Sequence, residues 1–417
     1  MSRRWKILYI VTAYSRDPDD VITPWLVETI ERLGEVGVDV EVLAPAYRGL
    51  GDAIVHGVPV HRFRYAPRRW EDLTHDETAP DRVRHRPGYL AVVPGYVLCG
   101  MRAARRLVRR CHFDVVHVHW PLPHALLGLA AQRAARVPLV CSFYGVELTW
   151  ARRFWPFRLF LRRMIRSADA VTAISTYTAG LIRQIHERRV ELIPFGATVD
   201  PGITPVESRR EVGRPFELLF VGRLVERKGV RYLLDAIAQL QDRYDVLLRV
   251  VGDGPWRSRL EAHARTLSLQ DRVRFEGFVS KDELARRFAG CDAFVLPAVV
   301  DAKGDTEGLG VVLIEALSYG KPVVATSVGG IVDIVRDGET GLLVPPEDAD
   351  ALARAIATYI EEPERARTLA DSGRAHVDAQ FSWPTIIDRL TSLYRELTLP
   401  RVGERPHGDP SSAPLGV

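Results

Sequence analysis

Short apolar runs alternate with amphipathic helical patterns along most of this 417-residue chain, and that alternation points to a parallel α/β architecture. In the first half KILYIVT, VDVEVLAP, DVVHVH, PLVCSF, ADAVTAIS and VELIP read as strands. Helical patterns lie between them, at residues 26–33, 125–135, 158–166 and 179–186. Residues 195–215 are rich in Pro and Gly and lack apolar periodicity, as a linker does. A second series follows: ELLFVG, VLLRVVG, VRFEGF, AFVLP, PVVAT and GLLVP. The length is too great for one ordinary core. The expected fold is therefore two doubly wound, Rossmann-like parallel-sheet domains, 1–200 and 201–382, facing each other across a cleft. An amphipathic helix follows Ser382, with Pro384 in its first turn. The tail, 401–417, is rich in Pro, Gly and Ser and is expected to be disordered.

With 47% hydrophobic and 26% charged residues, the chain reads as an ordinary globular protein. The apolar run after MSRRWK is too short for a secretory signal and suits a first buried strand. Residues 89–100 are broken by Pro94 and Gly95 and fall short of a membrane span. Cys99, Cys111, Cys141 and Cys291 show neither metal-ligand spacing nor a disulfide framework. The expected location is the cytoplasm, at or near the inner face of the membrane. Charge supports the membrane part of that reading. Residues 1–200 carry 29 Lys and Arg against 20 Asp and Glu, and residues 82–189 carry 19 against 4. Such a basic half suits a phosphate-bearing acceptor or an anionic membrane surface. Nucleic acid is not expected, because no binding motif accompanies the charge. The segment WARRFWPFRLFLRRMIR reads as an interfacial helix.

Open α/β sheets bind ligands beyond the carboxyl ends of their strands, so chemistry is sought there. ELLFVG runs into RLVERKG, where Gly222 permits close approach and Arg223 and Lys228 supply charge for a diphosphate. VRFEGFV places Val279 where backbone can face a flat base. The densest stretch is EGLGVVLIE. Glu307 stands in a glycine-flanked loop, and a helix begins near Gly310, so its first N–H groups form an anion site. Glu315 falls in the second turn of that helix. Eight helical residues span ~12 Å, whereas the carboxyl pair of a retaining glycosidase stands ~5–5.5 Å apart. The two glutamates therefore suit two ends of one extended ligand, a sugar and a ribose. In the first half His117 and His119 share a strand face, with His119 nearer the cleft. No third ligand accompanies them, so no metal site is expected. Tyr144, Gly145 and Glu147 follow the next strand, also on the cleft side.

Taken together, FVGRLVERKGV, VGDGPWRSRLE, VRFEGFVS and EGLGVVLIEALSYGKPVVATSVGG, in that order, resemble the retaining glycosyltransferases of the GT-B fold, family 4. The resemblance implies transfer of a hexose-type sugar from a nucleoside-diphosphate sugar, with an α bond formed and no metal or other cofactor. It implies that Arg223 and Lys228 neutralise the diphosphate, that Glu307 binds sugar hydroxyls and that Glu315 binds ribose. Backbone at Gly308, Leu309, Gly310 and Val311 would lie near phosphate and sugar, and backbone near Val279 would meet the base. His119 matches the active-site histidine, and the last helix, within 383–400, would cross back to the first domain. The acceptor stays open among saccharide, lipid-linked and small-molecule classes. Two departures fall on the acceptor side. TAYSRDPDDVITPW lacks the usual Gly-Gly after the first strand, with Ser15 and Thr23 as the available replacements, and Tyr144–Gly145 stands where His-Gly is usual. Two other readings remain: a nucleotide-sugar epimerase, which needs no acceptor, and a catalytically degenerate binding subunit, against which the intact charged set argues. A phosphorylase would need a pyridoxal-phosphate lysine, and the chain has five lysines, none in a plausible position.

Overall fold

The computed structural model describes residues 4–17, 20, 22–76, 79–197 and 213–399. Two sheets form. The first holds β1 (Trp5–Ile10), β2 (Val38–Pro45), β3 (Ala53–Val55), β4 (Val58–Phe63), β5 (Val115–His119), β6 (Leu139–Phe143), β7 (Ala170–Ala173) and β8 (Glu191–Leu192). Their spatial order is β3-β4-β2-β1-β5-β6-β7-β8, parallel throughout except for β3 against β4. The second holds β9 (Phe216–Val221), β10 (Val246–Val251), β11 (Val273–Gly277), β12 (Ala293–Leu296), β13 (Val323–Thr326) and β14 (Leu342–Val344). Its order is β11-β10-β9-β12-β13-β14, all parallel. Both sheets are doubly wound, the architecture expected from the alternating pattern.

Burial explains why the strands read so clearly. All of β5 is buried, as are β6, β12 and β13, because helices cover both faces. In β5 the period of two sends Val116 and Val118 into one core and Val115 into another. His117 and His119 join Val115 on the second face, where their rings stack 4.4 Å apart. The strands β3 and β4 escape the sequence pattern: β3 is a three-residue edge strand, and the apolar run of β4 is interrupted by Pro59, His61 and Arg62.

Two local expectations are corrected. Pro94 starts a helix, Val93–Arg110, rather than breaking an apolar run, because a first-turn residue needs no backbone N–H partner. The proposed interfacial segment is not one helix. It breaks at Phe154 into Val146–Arg153 and Trp155–Ser167, since Pro156 cannot continue the first helix and is accommodated in the first turn of the second. The interdomain linker lies largely, and the tail 401–417 wholly, outside the described residues.

The last helix, Trp383–Thr398, places Ile387, Leu390, Leu393 and Tyr394 in the core beneath β1 and β2. Its Trp383 ring fills the space that a side chain at Gly196 would occupy, and Trp383 Nε1 donates to the Ala197 carbonyl at 2.8 Å. Among the described residues, no helix is long and apolar enough to cross a membrane.

Candidate active site

The carboxyl ends of both sheets carry the polar groups. After β9 the chain turns through Glu226–Lys228 into Gly229, whose φ is +63°. A Cβ on Gly229 would stand 1.8 Å from the Pro297 carbonyl oxygen, so glycine alone lets this turn press against the loop after β12. The contact delivers Lys228 Nζ to Glu307 Oε2 at 2.5 Å, with Arg227 Nη1 at 3.3 Å from the same oxygen. Burial pushes the Glu307 carboxyl up, but the two cations more than offset it and hold it below the usual glutamate range. Gly222 lies alongside, where an added Cβ would meet Lys228 Cε at 3.4 Å. Arg223 is exposed, with no hydrogen bond or ion pair. Arg227, which also pairs with Asp305 at 3.5 Å, was not singled out from the sequence. Its only signal was being the third cation in one turn.

Backbone packing fixes the loop that bears Glu307. Gly330 N donates to the Glu307 carbonyl at 3.0 Å, and a Cβ on Gly329 would meet that oxygen at 1.9 Å. Beyond Leu309, which is buried, Gly310 adopts φ +93° and the helix Val311–Ser318 begins. Glu315 is buried within it. Val279 packs on the second core, beside a Phe278 ring that is 85% exposed.

Gly308 is where the two domains meet. A side chain there would meet the Tyr144 carbonyl at 3.2 Å and Ile174 Cδ1 at 3.3 Å. Tyr144 OH lies 2.5 Å from His119 Nδ1, and Tyr144 stacks on Phe195 with rings 5.4 Å apart. Asp333, from the second domain, accepts from Thr176 N at 2.6 Å and from its hydroxyl. So Lys228, Glu307, Gly308, Tyr144 and His119 form a continuous set across the cleft, while Arg223 and Val279 stand outside it.

The two histidines differ. His117 Nδ1 bonds Tyr394 OH at 2.7 Å and its Nε2 bonds Ser142 Oγ at 2.6 Å, so it is a satisfied core histidine. His119 Nε2 is buried without a partner. Burial first, and His117 second, hold His119 well below the ordinary histidine value, so the ring is neutral at pH 7. Gly145, at φ +112°, opens the helix that carries Glu147 in its first turn. Glu147 Oε1 accepts from Tyr144 N at 2.8 Å, Oε2 has no partner, and burial pushes the carboxyl up to about 7. Ser15 is spent on its own loop, donating toward the Asp20 and Ile22 carbonyls at 3.3 Å, and the Thr23 hydroxyl is unpartnered.

A recess of about 920 Å³ lies at the opposite, amino ends of β5, β6 and β7. Its Asp169 and Arg188 are committed to backbone groups, which suits a structural site better than a reactive one.

Comparison with known proteins identifies the family and the fold. Residues 3–196 match the "glycosyl transferase 4-like domain" model and residues 206–376 the "glycosyl transferases group 1" model. A Mycobacterium tuberculosis GDP-mannose-dependent α-(1-6)-phosphatidylinositol monomannoside mannosyltransferase is 32% identical over 302 residues, 70% of this chain and 78% of that one. A Corynebacterium glutamicum enzyme described for the monoacylated acceptor is 31% identical over 304 residues, 70% and 78% of the two chains. Sucrose-phosphate synthase from Thermosynechococcus elongatus shares the fold with a TM-score of 0.72 at 24% identity, covering 94% of this chain and 99% of that one. Anabaena HepE, solved with UDP and glucose, gives 0.67 at 23% identity, covering 94% and 100%. The chain belongs to the group 1, family 4 glycosyltransferases and has their GT-B fold.

Proposed function

We propose that this enzyme transfers a hexose from a nucleoside-diphosphate sugar, with GDP-mannose the first candidate, to a saccharide carried on an anionic or lipid-linked acceptor. The observation that carries the reading is the ion-pair cluster of buried Lys228 with the partly buried Glu307 and Arg227, which faces Tyr144 and His119 across Gly308. The choice of guanine as donor base is supported by the GDP-mannose-dependent mannosyltransferases to which the chain is similar.

In this reading Lys228, with Arg223 free to swing in and Arg227 behind, neutralises the diphosphate as it leaves. Backbone N–H groups at Gly308–Val311 meet phosphate and sugar at the start of the Val311–Ser318 helix. Glu307 accepts from sugar hydroxyls, Glu315 from ribose, and the backbone near Val279 lies along the base. When the Tyr144 hydroxyl donates to His119 Nδ1, the proton of the neutral ring stays on Nε2, an unspent donor for a donor-sugar hydroxyl. The reaction retains configuration: the acceptor oxygen bonds to the anomeric carbon on the face from which the diphosphate departs, and a diphosphate oxygen takes the acceptor proton. Among the described residues no three His, Cys, Asp or Glu side chains stand together as a metal-ligand set. The cations named above are the groups assigned to the diphosphate charge.

Membrane association is the second part of the proposal. On the helix Trp155–Ser167, Trp155 is 76% and Leu159 59% exposed, beside exposed Arg158, Arg162 and Arg163. Co-sedimentation with anionic vesicles at low salt tests it, and absence of binding would sink it. The transfer reading is tested by titrating UDP-, GDP- and ADP-sugars, then offering acceptors with the donor that binds. Turnover unchanged in both Lys228→Ala and Glu307→Ala would overturn the site assignment, and donor conversion without acceptor would favour the epimerase.

A further inference from the structure

We infer that Arg62 and Tyr14 form an anion subsite in the first domain, and that it receives a phosphate of the acceptor with at least one sugar ring between that phosphate and the hydroxyl being glycosylated. The inference rests on the transferase reading for the word acceptor, but the anion site stands on its own observations.

Arg62 lies near the carboxyl end of β4 and is 6% exposed. Its Nη2 donates to the Ser15 carbonyl at 2.8 Å, while Nε and Nη1 are buried without any hydrogen-bond partner. Three guanidinium N–H bonds therefore point at no acceptor. Neighbouring carboxylates are engaged elsewhere. Asp52 Oδ1 accepts from the Arg62 backbone at 2.7 Å, and Asp20 Oδ2 accepts from Arg16 N at 3.0 Å and Arg16 Nε at 2.5 Å. A buried cation in this condition is costly unless an anion completes it.

Two more unspent groups lie in the same place. Tyr14 is wholly buried and its hydroxyl has no partner, as is true of His75 Nε2. The segment bearing His75 is pinned to the segment after β1, because Thr74 Oγ1 donates to the Thr12 carbonyl at 2.7 Å and His75 bonds the Tyr14 backbone. The His75 ring lies 4.7 Å from Tyr47, whose ring also has the Arg16 guanidinium 5.1 Å from its centroid. Burial, then the charges of Arg62 and Arg16, lower His75 to about 4, which reports a positive field at this spot. The guanidinium on β4 and the tyrosine hydroxyl in the loop after β1 are donors of the kind that bind a phosphate oxyanion.

The place fits an acceptor. Parallel strands put the end of β4 on the same edge as His119, with β2 and β1 between β4 and β5. Three strand spacings of ~4.8 Å make ~14 Å, which leaves room for a sugar between phosphate and reacting hydroxyl. The unspent atoms are closed to solvent in this conformation, so an anion reaches them only once the site opens.

Inorganic phosphate titrated by calorimetry into the full-length protein, presaturated with a nucleoside diphosphate so that the donor site is filled, tests the subsite. Expected is a binding event weakened at least ~10-fold in Arg62→Gln and about 3-fold in Tyr14→Phe. Tyr14→Phe removes one unpartnered hydroxyl and keeps the test decisive should Arg62→Gln fail to fold. No phosphate binding by the wild type, or unchanged affinity in the soluble variants, overturns the inference and leaves Arg62 a purely structural residue. Glucose 1-phosphate against phosphatidylglycerol vesicles then separates a free sugar phosphate from a lipid headgroup. If nucleoside diphosphate does not bind at the outset, the transferase reading fails while the phosphate result is still interpretable.

Discussion

The two sheet edges that face each other are built on opposite electrostatic plans. At the edge of the second sheet Glu307 is already held by both Lys228 and Arg227, and the unpaired Arg223 is exposed to solvent rather than buried. The edge of the first sheet differs. Tyr14, Thr23, Arg62, His75, His119 and Glu147 each keep a buried polar atom without a partner, and no residue of the second domain does so among the described residues. An edge with internal partners exchanges one ion pair for another when a charged ligand arrives, so it keeps its shape while empty. An edge with unmet groups waits for its ligand to complete it. Under the proposed function the paired edge is the donor side and the unmet edge the acceptor side.

The paired edge breaks most severely. Lys228→Ala leaves Glu307 buried with one weaker partner, so stability is expected to fall by ~3–5 kcal/mol and kcat/KM by at least ~100-fold. Lys228→Met combined with Glu307→Gln removes both charges. It should recover most of the melting temperature in calorimetry without recovering transfer, and a double variant as unstable as the single one would refute the pairing.

On the unmet edge, Glu147 gives the next effect. Its folded pKa, about 7, lies above the unfolded value, so the folded state holds the proton more tightly. Between about 4.5 and 7 the native state binds more protons than the unfolded one, and stability falls as pH rises. The loss is at most ~3 kcal/mol. Glu147→Gln should not share it, so the gap in melting temperature between variant and wild type should widen from pH 5 to 7.5. A gap independent of pH would show an unperturbed carboxyl. Tyr144→Phe removes the bond to His119 Nδ1 and frees the ring to change tautomer. The expectation is a drop of about 10-fold in kcat with KM for the donor little changed; an unchanged kcat would separate His119 from the chemistry. The smallest effect is Asp333→Asn at the exposed contact with Thr176, expected to cost no more than ~1 kcal/mol in denaturant unfolding.

The fold was legible because strands buried on both faces announce themselves as apolar runs. VVHVH, LVCSF and AFVL needed no partner to be recognised. VPVHRF, which became β4, hid behind Pro59 and two basic residues, yet it carries Arg62. Lys228, Glu307 and Gly308 were readable from local motif. Pairing was not, since nothing in the residues around Arg227 announces a partner 80 residues away. The unmet groups of the first domain were invisible for a deeper reason: lacking a partner is a property of three-dimensional surroundings and leaves no trace in residue order.

The helix Trp383–Thr398 has a consequence for how the protein is made. Its Tyr394 bonds Tyr9 at 2.9 Å and His117 at 2.7 Å, and its leucines close the core under β1 and β2. The first domain leaves the ribosome ~200 residues before that helix does, which at ~5–20 residues per second is a delay of about 10–40 s. Throughout that interval the nascent first sheet has an apolar furrow open to water, and chaperones have their longest opportunity to bind there.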